Sequence, residues 1–183
     1  MKITIKELVA LQNKIHQQNV EMGWWDNHRS FATFACLFHS ELSEAMEGDR
    51  RGLMDDHLPE YEMFWVELAD FAIRCIDWLG SRNYVNYIFY ASSPSGDRVA
   101  FLAEMHKTIS EAYFLSWYAS TYNGDETSGH ASVLIASAVS ACFAFASLHD
   151  FDLLDVINKK VEYNKQRLDH KRENREKDGG KKY

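Results

Sequence analysis

The chain has 183 residues, 46% of them hydrophobic and 14% aromatic, with 9 Gly and 2 Pro. That length suits one compact domain and the apolar content excludes disorder through most of it. Two prolines leave too little punctuation for a many-turned β fold. The net charge of −7 is uneven: from Lys159 onward lie 10 of the 20 Lys and Arg against five acids, which leaves −12 on the body. An acidic body with one basic end argues against nucleic acid as a partner. The longest apolar run, 131–148, is diluted by four serines and argues against a membrane span. With no apolar leader at the N-terminus, the expectation is a soluble, cytoplasmic protein.

In chain order, Thr4-Ile5-Lys6-Glu7 reads as a capping box, and Leu8, Leu11 and Ile15 continue an apolar stripe that predicts a helix over 4–21, ended by Gly23. A second helix is expected over 30–51, stopped by Gly52. A third is expected over 60–79, with Pro59 just before its start. Residues 84–90 (YVNYIFY) fit either a short strand or an aromatic helical turn, and 92–97 a loop. Further helices are predicted over 98–121, over 130–148 and from Asp152 into the charged tail, with an exposed loop at 123–129. The three cysteines, Cys36, Cys75 and Cys142, are odd in number and scattered. They read as buried small hydrophobes rather than as disulfide or zinc partners.

An internal echo runs through the middle of the chain. Phe38-His39-Ser40-Glu41-Leu42-Ser43-Glu44-Ala45 aligns with Met105-His106-Lys107-Thr108-Ile109-Ser110-Glu111-Ala112. The same offset pairs Val66 with Val133, Ala69 with Ala136 and Cys75 with Cys142. An unbroken offset favours a degenerate duplication over coincidence. Its second copy has lost carboxylates: Thr108 stands against Glu41, Leu134 against Glu67 and Ser137 against Asp70.

The chemistry concentrates in that first copy. Glu41 and Glu44 lie at i, i+3 on the second helix, and Glu67 and Asp70 repeat the spacing on the third, so each pair shares one helical face. Both pairs sit among apolar positions, where close carboxylates cannot all stay ionised without a cation. Oxygen ligands without clustered His or Cys suit Mg²⁺, with Mn²⁺ as a substitute. A di-iron bundle would need Glu-x-x-His, and none of the eight histidines has Glu three positions before it.

Glu41-x-x-Glu44, then Glu67-x-x-Asp70 after 22 intervening residues, resembles the signature of the all-α nucleoside triphosphate pyrophosphohydrolases: MazG, the dimeric dUTPases and the dCTP pyrophosphatases. The segments 37–45, 67–77 and 160–167 read like the helices of that family. The resemblance covers residues 1–79 and 150–183. It implies an all-α, four-helix-bundle catalytic part, with 80–149 an inserted degenerate helical pair that lets one chain mimic a dimer. It also implies hydrolysis of a (d)NTP to (d)NMP and pyrophosphate, with Mg²⁺ held by Glu41, Glu44, Glu67 and Asp70. Glu41 or Glu44 would take the proton of the attacking water. Lys160, Asn164 and Arg167, at i, i+4, i+7, would face phosphates, and His16 and Trp25 would contact the base. Two departures stand out: Leu168 follows Arg167 where the pattern has Pro, and a charged stretch precedes Gly179-Gly180. The expected role is nucleotide-pool house-cleaning, as a monomer or a homodimer. The alternative is a helical module that binds divalent ions or another protein without catalysis.

Overall fold

A computed structural model describes residues 3–85, 94–123, 129–175 and 177. They form α1 (Ile5–Glu21), α2 (Phe31–Arg51), α3 (Met63–Ser81), α4 (Arg98–Asn123), α5 (Gly129–Leu148), α6 (Leu153–Gln166), a single 3-10 turn (Leu168–His170) and α7 (Arg172–Arg175). The protein is all-α, and among the described residues the β structure is one bridge, Met54 with Glu62. The expected capping box is present: Glu7 N donates to Thr4 Oγ1 (3.2 Å), and Thr4 N donates to Glu7 Oε2 (2.8 Å). Most of the aromatic stretch 84–90 and all but the ends of the loop 123–129 lie outside the described residues. So does Gly179-Gly180 in the tail.

Helix α3 is the axis of the bundle. It is buried on nearly every side, with Phe64, Val66, Leu68, Phe71, Cys75, Ile76 and Leu79 fully enclosed. On it pack α1, α2, α5 and α6. Such all-round burial explains why its sequence is apolar almost throughout, and why a carboxylate on it is chemically costly. Helix α5 is long and apolar enough to cross a membrane by length and composition. Most of it is nevertheless buried against α3 and α4, which makes it a core helix of the bundle.

The offset of 67 reappears in three dimensions. Phe31 and Arg98, the first residues of α2 and α4, are related by it, as are Ser81 and Leu148, the last residues of α3 and α5. Helix α2 packs on α4, and α3 on α5. His39 and His106, equivalent in the alignment, stack on each other with ring centroids 5.0 Å apart and Nδ1 atoms 2.7 Å apart. Cys75 and Cys142, also related by the offset, are both buried. Burial, with Cys142 adding to it, pushes the Cys75 thiol up.

Three expectations need correcting. Helix α3 starts at Met63 rather than Glu60. Asp55 accepts from the backbone of His57 (2.9 Å) and Leu58 (2.7 Å), and Tyr61 N bonds Leu58 O (2.9 Å), so the chain after Pro59 is held in a turn. Cys36 is exposed, unlike its two fellows, because it falls on the outer face of α2. The last helix does not run on into the tail: α6 stops at Gln166, and Arg167 adopts an extended conformation (φ −64°, ψ 127°).

Candidate functional site

Three of the four expected carboxylates converge. Oxygens of Glu41 on α2 and of Glu67 and Asp70 on α3 all lie within 4.8 Å of one another. Glu41 is 5% exposed and Glu67 7%, so the cluster is nearly dry. Glu44 is exposed and outside this trio, although its charge still acts on Glu67. Burial, then Asp70 and Glu41, push the Glu67 carboxyl up to about 9. The Asp70 carboxyl is also raised, by burial first, with Lys160 opposing and Glu41 adding. Carboxylates packed this closely and this deeply cannot all stay ionised by themselves, and a hard divalent cation is what would let them do so.

Two side-chain cations already sit at its edges. Lys160 on α6, 2% exposed, places Nζ 3.0 Å from Asp70 Oδ2. Arg74, one turn beyond Asp70 on α3, donates from Nε to Glu41 Oε1 at 2.6 Å. Lys160 is thus turned to the carboxylates, whereas Asn164 and Arg167 face the neighbouring cavity. Arg167 lies just past the helix and is gripped by Asp169 (3.0 and 2.8 Å), so the three do not form one straight row.

Next to the carboxylates is a cavity of about 240 Å³, enclosed by α1, α2, α3, α6 and the tail. Asp70 and Arg74 form the wall it shares with the cluster. Arg29, Arg167 and His170 bring further cationic or ionisable groups, and Asn164 lines it with a buried Oδ1 that has no hydrogen-bond partner. Arg29 is wedged against the rings of Phe34 (4.7 Å) and Trp25 (5.2 Å) and donates to Trp24 O at 2.5 Å. Burial holds its guanidinium below the usual value; Asp77 supports the charge, and Arg175 and Arg74 oppose it. Three guanidiniums thus line one small cavity, two of them also paired with Glu41 and Asp169, and a guanidinium is the side chain best suited to an anion with several oxygens.

At the far end of the cavity stands Asp77, two turns along α3 from Asp70 and 8% exposed. Its carboxylate is saturated. Asn19 Nδ2 donates to Oδ2 (2.8 Å), Trp25 Nε1 donates to both oxygens (3.1 and 3.2 Å), and His16 Nδ1 lies 2.7 Å from Oδ1. A carboxylate only accepts, so His16 carries its proton on Nδ1 toward Asp77, which leaves Nε2 to face elsewhere. The close approach of α1 to α3 that permits this needs Gly80, where a Cβ would come within 2.7 Å of His16 Cβ. His16 and Trp25 thus meet, with ring centroids 5.2 Å apart, but behind the cavity wall; Trp24 and Asn19 line it instead.

The tail completes the enclosure. Arg172 pairs with Asp26 (2.8 Å), Arg175 lies 3.6 Å over the Trp24 ring and donates to Met22 O (3.2 Å), and His170 meets Trp24 edge-on at 5.3 Å. Gly23, at φ +78°, turns the chain under this contact, and a Cβ there would strike Arg172 at 2.6 Å.

Sequence reasoning passed over Arg29, Arg74, Asp77, Asn19 and Trp24. A signal existed for two of them: Arg74 and Asp77 continue the i, i+3/i+4 face of Glu67 and Asp70. Arg29 had none, because it lies in a connection whose path is set by tertiary packing. No protein-family model matches the chain, and no curated protein and no solved structure shows a significant match to it.

Proposed function

We propose that the chain is a divalent-cation-dependent nucleoside triphosphate pyrophosphohydrolase of the MazG-like kind, cutting a (d)NTP to the monophosphate and pyrophosphate. In this reading α4–α5 is a degenerate copy of α2–α3 that makes the chain its own pseudo-dimer with one active site. The observation that carries it is the juxtaposition of a dry carboxylate trio with a guanidinium-lined cavity. Cation and polyanion sites share a wall there, as metal-assisted phosphate chemistry requires.

The residues present fit Mg²⁺ or Mn²⁺: three clustered carboxylates, one of which keeps its proton when no ion is bound, and no soft ligand among them. Glu41, Glu67 and Asp70 would hold the ion, with Glu44 at the edge. When bound, the ion supplies positive charge to the phosphate oxygens and acidifies the attacking water. Arg74 and Arg29 take the phosphates, Arg167 assists from the tail, and the unpaired Asn164 Oδ1 accepts from a sugar hydroxyl or a bound water. Lys160 holds Asp70 from behind. Of the two candidate bases, Glu44 is the freer, because Glu41 is held by Arg74. The base of the nucleotide lies toward Trp24 and the Asp77 network, where His16 and Trp25 set the shape of the wall.

The test is pyrophosphate release across the deoxy- and ribonucleoside triphosphates, with Mg²⁺, Mn²⁺ or EDTA. Metal-dependent turnover of at least one nucleotide, abolished in Asp70→Asn while the helical circular-dichroism signal is unchanged, is the expected result. Silence across the panel with both metals would replace this reading with a non-catalytic module that binds divalent ions.

A further inference from the structure

The exposed surface of α4 carries a feature that the bundle does not require. Phe114, Trp117, Tyr118 and Tyr122 form one run of touching rings: Phe114–Trp117 at 6.0 Å, Phe114–Tyr118 at 6.3 Å, Trp117–Tyr122 at 6.4 Å and Tyr118–Tyr122 at 4.7 Å. Tyr113 flanks them, one turn before Trp117. All five are open to solvent, from 41% for Tyr113 to 66% for Tyr122.

The equivalent positions of α2 show that the fold itself does not need aromatic residues here. Glu47, Arg50 and Arg51 stand where α4 has Phe114, Trp117 and Tyr118. There they form a solvated ion-pair network, Glu47 with Arg50 and with Arg51. One helix position, repeated in one chain, is charged in one copy and aromatic in the other.

We infer that this stripe is a self-association surface, on which the α4 helices of two copies pack antiparallel across a two-fold axis near Tyr118. Three features of the stripe favour a second copy. Its rings at 114, 118 and 122 are spaced evenly about Tyr118, so an antiparallel copy sets ring against ring, as an isologous contact demands. Its size is adequate: at about 200 Å² per aromatic side chain and about half exposure, the five rings offer about 500 Å². Two copies would bury about 1,000 Å², the lower bound for a specific interface. Its charge is also right. Residues 112–123 contain no Asp, Glu, Lys or Arg, so two copies of net charge −7 meet at a face free of like charge. The same lack of Lys and Arg disfavours a nucleic acid or an anionic membrane as the occupant.

Sedimentation equilibrium on the full chain, from low to high micromolar concentration, tests this. The expected result is a dimer that becomes a monomer in W117E/Y118E, with helical content and melting temperature retained because both side chains are exposed. Should that variant misfold, Tyr118→Cys in a Cys36→Ser background provides a second reading: mild oxidation is expected to cross-link two chains through position 118. A wild type that stays monomeric throughout the range would overturn the inference. So would a dimer that persists in W117E/Y118E, or a dimeric sample of the Tyr118→Cys variant that fails to cross-link.

Discussion

The two helical hairpins of this chain share a length and a spacing but face opposite chemical problems. On α3 the line Glu67, Asp70, Arg74, Asp77 is roofed by α1 and α6 and forms the carboxylate cluster and one wall of the cavity. On α5 the equivalent line is Leu134, Ser137, Ala141, Ala144, all uncharged. A helix face can thus keep its place in a bundle while its ionisable groups are replaced. The comparison also separates what the fold needs from what the chemistry needs. The fold requires the Phe, Ile, Val and Ala positions buried in both hairpins; the charged line is an added cost that needs partners, Lys160 for Asp70, Glu41 for Arg74, and Asn19 and Trp25 for Asp77.

The comparison breaks most decisively through activity. Glu67→Gln or Asp70→Asn should lower metal-dependent turnover by at least about a hundredfold, the upper range for losing a partner that merely tunes a metal site. Ser137→Asp on the other hairpin should leave turnover within about twofold, both read by pyrophosphate release. Stability comes next. Lys160→Met removes a buried ammonium from Asp70 and should cost about 3 kcal/mol in urea unfolding, with part of the loss restored by Mg²⁺.

The pH dependence of metal-free stability sharpens the contrast further. Glu67 is protonated in the folded state up to about pH 9 but ionises near its ordinary value of 4.5 when unfolded. The folded state therefore binds more protons between these limits, and stability present at low pH is lost as pH rises through that window, by at most about 1.4 kcal/mol per pH unit for one proton. Glu67→Leu, which installs the residue of the other hairpin, should remove that slope and raise stability above pH 7. A guanidinium titration at several pH values distinguishes the outcomes. The smallest effect belongs to the meeting point of the hairpins. Burial lowers the pKa of His39, and burial together with His39 lowers that of His106. Replacing His39 by Leu should change stability by about 1 kcal/mol near neutral pH. It should also lessen the stability lost as pH falls below the ordinary histidine value of 6.5.

Much of this was legible in the sequence. Thr4, Gly52 and the apolar stripes located the helices, and the offset of the repeat anticipated which helices would correspond. The spacing of Glu41, Glu67 and Asp70 placed them on facing helical sides, because helix periodicity converts sequence distance directly into position. Where legibility ended, the reason was tertiary. Glu44 fell outside the trio because α2 turns it to solvent, a rotation that i, i+3 spacing leaves open. Lys160 pointed inward because a buried Asp70 offered it a partner. His16 and Trp25 proved to be tied to Asp77, a residue that local pattern presents as one more helical acid. The start of α3 was misjudged because Asp55 captures the backbone after it, and side-chain capture of this kind competes with helix in ways that proline position does not reveal.

The contacts of Arg172 and Arg175 with Asp26, Trp24 and Met22 also say something about the life of the chain before it is complete. They join residues 146 or more positions apart. Arg167 and His170, which line the cavity, lie in the same late segment. During synthesis the two hairpins and α1 have all emerged while this wall is still missing, so the carboxylates can gather before anything encloses the neighbouring space. A nascent chain can gather its carboxylate cluster first and close the neighbouring cavity only afterwards, in the order in which the segments emerge.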